Sequence, residues 1–408
     1  MTSPFDAFQL GGLRLRNRVV KAATYEGMSP DAHVSDGLVK HHRDVAAGGV
    51  AMTTVAYCAV EPDGRTFRDQ LYMRPDVVPE LRRLTDAVHA EGAAASLQLG
   101  HCGGFCNNRD LRRARPYGPS RALNALGALS GRPLADAMTE ADIEQVTEAF
   151  VEASRLAREA GFDAVELHLG HGYLLSQFLC PTTNARRDAY GGSLENRARF
   201  PLAVVERVRA ALPAGFPVLA KVNLRDGHRG GFDIDESVQV ARWLEASGAS
   251  ALVLSGGFVS RDAFYLFRGE RPLGAMISVE KSVAQKVALT LFGPAVIKAH
   301  PYEPLYFLPL ARQVRSAVKM PLVLLGGITA LAHLQTAMDE GFELAAMGRA
   351  LIHEPGLIAK YAAGEATVSG CVPCNLCVAE MDREGGVRCA KVPAQLAERE
   401  AYLKSHPR

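Results

Sequence analysis

Eight short runs of aliphatic and β-branched residues recur along the chain, and most are followed by a stretch with helical periodicity. The runs lie at 18–24, 50–58, 94–100, 163–169, 217–223, 250–256, 321–327 and 343–348, with amphipathic stretches at 77–92, 140–161 and 235–249 among the intervening segments. A strand that feeds a helix and then another strand is a parallel βαβ unit. Eight in series predict an α/β fold of the (β/α)8 TIM barrel type, with its active site at the C-terminal ends of the strands. A doubly wound sheet would carry a Gly-x-Gly-x-x-Gly turn after one of these strands, and none does.

Two connections are unusually long, 101–139 after the third run and 257–310 after the sixth. Both fall on the catalytic face of a barrel, and the second is long enough to hold helices of its own. Its aromatic residues Phe258, Phe264, Tyr265, Phe267 and Tyr302 are expected to be ordinary packing rather than a lid. The barrel should occupy 1–365, with a short cysteine-rich extension over 366–408 packed on it.

The net charge of +2 gives no reason to expect nucleic acid or an anionic membrane as partner. The basic run at 107–115 reads as a solvated loop. The first residues lack the pattern of a signal peptide, and no apolar stretch is long enough to span a bilayer. A cytoplasmic protein is the expectation, and a homo-oligomer the expected assembly.

Polar residues gather at the predicted strand ends: Gln98 on the third, His168, His171 and Tyr173 at and beyond the fourth, Lys221 and Asn223 on the fifth. Gly326 and Gly327 close the seventh strand, and Gly348 and Arg349 the eighth. Such glycines let backbone N–H groups approach a phosphate, and arginine adds a bidentate contact. That corner alone would suit FMN, pyridoxal phosphate or a phosphorylated substrate. Lys221 would also suit a Schiff-base aldolase.

The stretch "HLGHGYLLSQFLCPTTNARRDAYGGSLENRARF" (168–200) closely resembles the old yellow enzyme family of FMN-dependent ene-reductases. Its signature runs His-x-x-[His/Asn]-Gly-Tyr-Leu, then Phe-Leu-x-Pro, then Asn-x-Arg-x-Asp-x-Tyr-Gly-Gly-Ser-x-Glu-Asn-Arg. Weaker matches, "LRNRVVKAA", "LQLGH", "LLGGI" and "AAMGRALIHEP", extend the likeness along nearly the whole chain. The resemblance implies an NAD(P)H-dependent enzyme that reduces the C=C bond of a small α,β-unsaturated carbonyl compound. His168 and His171 would then hydrogen-bond the substrate carbonyl while hydride from reduced flavin adds to the alkene, and Tyr173 would protonate the neighbouring carbon. FMN would lie against Ala22, Ala23, Thr24, Tyr57, Gln98 and Lys221, with its phosphate at Gly326, Gly327, Gly348 and Arg349. Asn184, Arg187, Asp188, Tyr190, Glu195, Asn196 and Arg197 are expected to knit the loop after the fourth strand to its helix. Two positions depart from the family: Tyr25 stands where a Thr or Cys usually tunes the flavin, and Lys221 where an arginine usually stands. Lysine keeps the charge but loses the planar fork.

Cys371, Cys374, Cys377 and Cys389 have the spacing C-x2-C-x2-C-x11-C, which argues for metal in a chain of this kind. It resembles the dienoyl-CoA reductase and trimethylamine dehydrogenase group, which implies a [4Fe–4S] centre. A structural zinc or free thiols are the alternatives. With the cluster goes a second functional reading, a dehydrogenase that oxidises an amine or C–H substrate and passes electrons to a partner protein. A member that binds flavin without turnover is the reading from a different class.

Overall fold

The computed structural model describes residues 2–406. Each of the eight expected strands is present: β1 Val19–Lys21, β2 Met52–Ala59, β3 Ala94–Gly100, β4 Ala164–Leu169, β5 Val218–Asn223, β6 Ala251–Ser255, β7 Leu322–Leu325 and β8 Leu344–Met347. They close into one parallel barrel in sequential order, β8 pairing with β1. Every residue of β2, β4 and β5 is buried, as a strand covered on both faces must be. The outer ring is α1 Asp36–Ala47, α2 Val78–Ala90, α3 Glu140–Glu159, α4 Leu194–Ala211, α5 Ile234–Ala246, α6 Leu308–Arg315, α7 Leu331–Asp339 and α8 Leu357–Ala363. The local start signals are legible in the sequence. Thr139 and Asp142 form a reciprocal capping box on α3, and Ser193 caps α4.

An antiparallel hairpin, Phe8–Leu10 with Leu13–Leu15, closes the N-terminal end of the barrel. Its Leu10 and Leu15 are buried in one cluster with Val20, Leu219, Val253 and Val323 from the strands. The opposite mouth is left to function.

Strands β1 and β7 are shorter than expected, for a physical reason. Gly326 and Gly327 have φ of 105° and 73°, which ends the β7 ladder after Leu325. Residues 22–24 leave the sheet to line the mouth instead. The register of β2 against β3 shifts between Val55 and Cys58, a bulge of the kind that re-aims side chains beside active sites. Tyr57 lies within it.

The connection after β3 carries a small three-stranded sheet, Tyr117–Gly118, Ala122–Leu123 and Leu134–Ala137. The one after β6 carries helices Val259–Phe267, Leu273–Val279 and Val283–Val296. The C-terminal segment runs over the mouth side. Val387 N donates to Glu26 O at 2.7 Å and Ser369 N to Thr329 O at 2.8 Å. Among the described residues, no helix is long and apolar enough to cross a membrane.

Candidate active site

Alternation along β4 turns Glu166 and His168 to the same side of the strand, and the neighbouring registers set Gln98 beside Glu166 and Lys221 beside His168. Gln98 Nε2 donates to Glu166 Oε1 at 2.6 Å, and Lys221 Nζ pairs with the same oxygen at 2.8 Å, all three side chains being buried. Glu166 was not among the expected site residues. Its signal was its place two residues before His168.

Beyond β4 the chain turns sharply. His171 has φ of 61°, a left-handed conformation that costs a non-glycine residue on the order of 1–3 kcal/mol. Two neighbouring strand ends hold it there. His171 N donates to Asn223 Oδ1 at 3.0 Å, and its Nε2 lies 2.7 Å from Ser255 Oγ. The turn brings the His168 and His171 rings to 4.8 Å, nearly perpendicular, with the Tyr173 ring 4.8 Å from His168 and Tyr57 4.9 Å from Tyr173. Burial, reinforced by the His171 and Lys221 charges, holds His168 well below its usual range. Burial and Lys221 lower His171 to about 3. Both imidazoles are therefore neutral at physiological pH. Burial raises the Tyr173 phenol above its ordinary value, so it keeps its proton.

These groups line a mostly apolar cleft of about 380 Å³, together with Ala23, Thr24, Tyr25, Tyr57 and Gln98. A smaller cavity of about 90 Å³ adjoins it and shares Ala23, Thr24, His171 and Arg349. Ala22, Lys221, Gly326, Gly327 and Gly348 line that second cavity. Every residue expected to hold FMN thus borders one space or the other. Two features fit the cofactor. Thr24 Oγ1 is buried without a partner, and Gly326, Gly327 and Gly348 border the smaller cavity with backbone alone. Of the aromatic residues expected to be packing, Phe264 and Phe267 instead line the cleft and Tyr302 the smaller cavity. Phe258 is buried against His228 and Tyr265 packs on Phe307, as expected.

The loop after β4 is knitted by most of the expected residues. Asn184 Nδ2 donates to Phe178 O and Tyr190 O at 2.8 Å, and Arg197 bonds Leu179 O and Glu236. The arginine position needs correcting. Arg186, not Arg187, meets Asp188 and donates to Met138 O at 2.6 Å, while Arg187 is exposed.

Cys371, Cys374, Cys377 and Cys389 all line a third cavity, about 20 Å³, bordered by Arg349 and His353. Arg349 therefore borders all three spaces. Its Nη1 donates to Arg268 O at 2.9 Å and to Asn375 Oδ1 within the cysteine loop. Burial raises the Cys371 and Cys377 thiols to about 11 and about 12, with the Arg349 charge opposing the rise. Among the described residues, the group of three potential ligands drawn within 4.8 Å of one another is Cys180, Asp226 and His228. The four cysteines of the extension border a cavity of their own.

A TIM barrel with a glycine-lined corner, a donor-lined cleft and a basic residue on the fifth strand is compatible with a flavin-dependent oxidoreductase. The chain belongs to the NADH:flavin oxidoreductase / NADH oxidase family, whose profile matches residues 4–261. It is 45% identical over 390 residues to a 4,4'-dithiodibutanoate disulfide reductase of Rhodococcus erythropolis, covering 95% of this chain and 94% of the relative. Among solved structures, an old yellow enzyme homologue from Zymomonas mobilis matches with a TM-score of 0.71 and 21% identity, over 96% of this chain and 98% of that one. Histamine dehydrogenase from Rhizobium sp. 4-9 matches with a TM-score of 0.78 and 22% identity, over 97% of this chain. This chain spans about half the length of that dehydrogenase (53%), and at such identities the two structures speak for the fold alone. The protein is an NAD(P)H-dependent, FMN-dependent oxidoreductase.

Proposed function

We propose that the protein reduces the C=C bond of a small α,β-unsaturated carbonyl compound. The observation that carries this reading is the pair of neutral, perpendicular imidazoles at one end of an apolar cleft, with a protonated phenol against them. Bound FMN would supply the hydride. The chain's own residues do the rest.

Gly170 N donates to His168 Nδ1 at 3.3 Å, so the ring hydrogen of His168 resides on Nε2. The reading requires the Ser255 hydroxyl to donate to His171 Nε2, which leaves the hydrogen of His171 on Nδ1. Each ring then offers one N–H, and two such donors on one carbonyl oxygen stabilise the negative charge that grows there as the alkene accepts hydride. Tyr173 delivers the proton that completes the saturated product. Because both imidazoles stay neutral, the rate of alkene reduction is expected to be flat between pH 5 and 8, where an unperturbed histidine would titrate. A bell centred near 6.5 in rapid-mixing experiments counts against this arrangement. Ser255→Ala should lower that rate about 10-fold by releasing the His171 tautomer. A rate equal to wild type removes Ser255 from the account.

A second reading is favoured by the 45% identical relative: reductive cleavage of a small disulfide by NAD(P)H, giving two thiols. Parallel turnover assays with an enone and with 4,4'-dithiodibutanoate decide between the readings.

For the cysteine cavity we favour an iron–sulfur centre. Four cysteines around one cavity beside the Arg349 charge suit an anionic cluster, and an electron-transfer protein is the partner such a cluster implies. Cys374→Ser is expected to abolish iron, measured as non-haem iron per flavin after anaerobic purification. Iron absent from wild-type protein reconstituted with iron and sulfide refutes the assignment.

A further inference from the structure

We propose that Arg261 and Lys298 form a carboxylate subsite at the rim of the cleft, so that the preferred substrate is an aliphatic molecule bearing a carboxylate remote from its reducible bond. The inference rests on the reading of the cleft as the substrate site and adds the chemistry of the substrate's far end.

The chain as a whole is nearly balanced, with 46 Lys and Arg against 44 Asp and Glu. The cleft is not. Arg261, Lys298 and Arg349 border it, and no Asp or Glu does among the described residues. Arg349 is committed at the inner end, to Arg268 O and Asn375. The other two are exposed. Asp262, next to Arg261 in sequence, is buried and lies 2.9 Å from Nε2 of His300, two residues beyond Lys298, so this contact draws the two cation-bearing segments together. The Arg261 and Lys298 charges both oppose protonation of His228, with the Asp262 carboxylate working against them.

Much of the remaining lining is apolar, including Phe264, Phe267, Met276 and Ile297. Apolar walls of low dielectric focus the field of the two cations onto whatever enters. An arginine fork and a lysine ammonium bordering one cleft suit a carboxylate, which accepts two parallel hydrogen bonds from the first and a point charge from the second. A linear molecule with carboxylate at the rim would thread its methylenes along the apolar wall and present its other end to the imidazoles.

The test is calorimetric binding of 7-oxononanoate and its methyl ester to the flavin-loaded enzyme, wild type against the Arg261→Ser/Lys298→Ser double variant. Both side chains are exposed, so the variant should fold normally. Wild type is expected to bind the acid about 10-fold more tightly than the ester, less so at high salt, and the variant to bind the two alike. Equal affinities in wild type, or a preference that survives in the variant, overturn the subsite. Turnover of 7-oxonon-8-enoate is read separately. An acid preference in binding without reduction of this vinyl ketone leaves the subsite standing and removes alkene reduction as the activity.

Discussion

His168→Ala and His171→Ala are each expected to slow the reaction of the reduced enzyme with an enone by roughly 10²–10³-fold, the usual cost of removing one donor to a developing oxyanion. The double variant should lose no more than the product of the two, because groups that act as a unit are not additive. The measurement is stopped-flow mixing of dithionite-reduced protein with cyclohexenone. Dithionite reduces the protein without nicotinamide, so the enone step is read alone. Retained FMN and an unchanged rate of reoxidation by oxygen would show that the loss belongs to carbonyl polarisation. Enone rates within a few-fold of wild type in the double variant would remove the imidazoles from the chemistry.

The second large effect concerns stability. Lys21 at the end of β1 and Glu26 just beyond are fully buried and pair at 2.7 Å, with His42 Nε2 3.4 Å from the same oxygen and Ala56 N donating to the other at 3.3 Å. The group ties β1, β2 and α1 together directly behind the residues that line the cleft. Glu26→Gln leaves the Lys21 ammonium buried without a counter-charge, at an expected cost of about 3–5 kcal/mol. Replacing both partners, as in Lys21→Met/Glu26→Leu, should recover much of that loss, because the uncompensated charge is gone. Denaturant unfolding of the three proteins checks the pattern. A single-variant loss below about 1 kcal/mol contradicts it.

The same pair sets a pH dependence. Burial works to raise the Glu26 carboxyl, but Lys21 and His42 outweigh it and hold the group at about 2, below its ordinary 4.5. A carboxyl depressed in the folded state contributes stability that is complete above its unfolded value and disappears as pH falls through the folded one. Stability should therefore fall between about pH 4.5 and 2, with Glu61, also held at about 2 against the pull of burial by His101, Tyr117 and Gln145, contributing in the same window. Glu26→Gln should flatten this decline.

The barrel was readable because its signal is repetitive: eight buried strands at regular intervals, each framed by turn residues. The clustering of His168, His171 and Tyr173 was readable because they sit close together in sequence at one strand end. What escaped was lateral. Glu166 bonds Gln98 and Lys221 across three strands, Ser255 reaches His171 from β6, and Glu26 meets His42 from another element altogether. No periodicity within one segment reports a contact that barrel closure creates. The insertion after β6 failed differently. Its aromatic residues alternate between core and cleft over a few positions, and only the path of the chain separates Phe258, which packs, from Phe264 and Phe267, which face the cavity. Arg186 and Arg187 are adjacent and chemically identical, and the Asn-x-Arg-x-Asp spacing counted from Asn184 falls on Arg186, the one that reaches Asp188.

The central proposal is that His168, His171 and Tyr173 hold and activate a carbonyl-conjugated alkene, to which bound FMN would supply the hydride. The most direct test is the visible spectrum of the anaerobically purified protein, recorded before and after NADH or NADPH and again after an enone. Flavin bands that bleach with the nicotinamide and return in full with the enone, yielding one saturated ketone per flavin, are the predicted result. Bands that bleach and stay bleached with every enone, yet return with a small disulfide or an external electron acceptor, would contradict it.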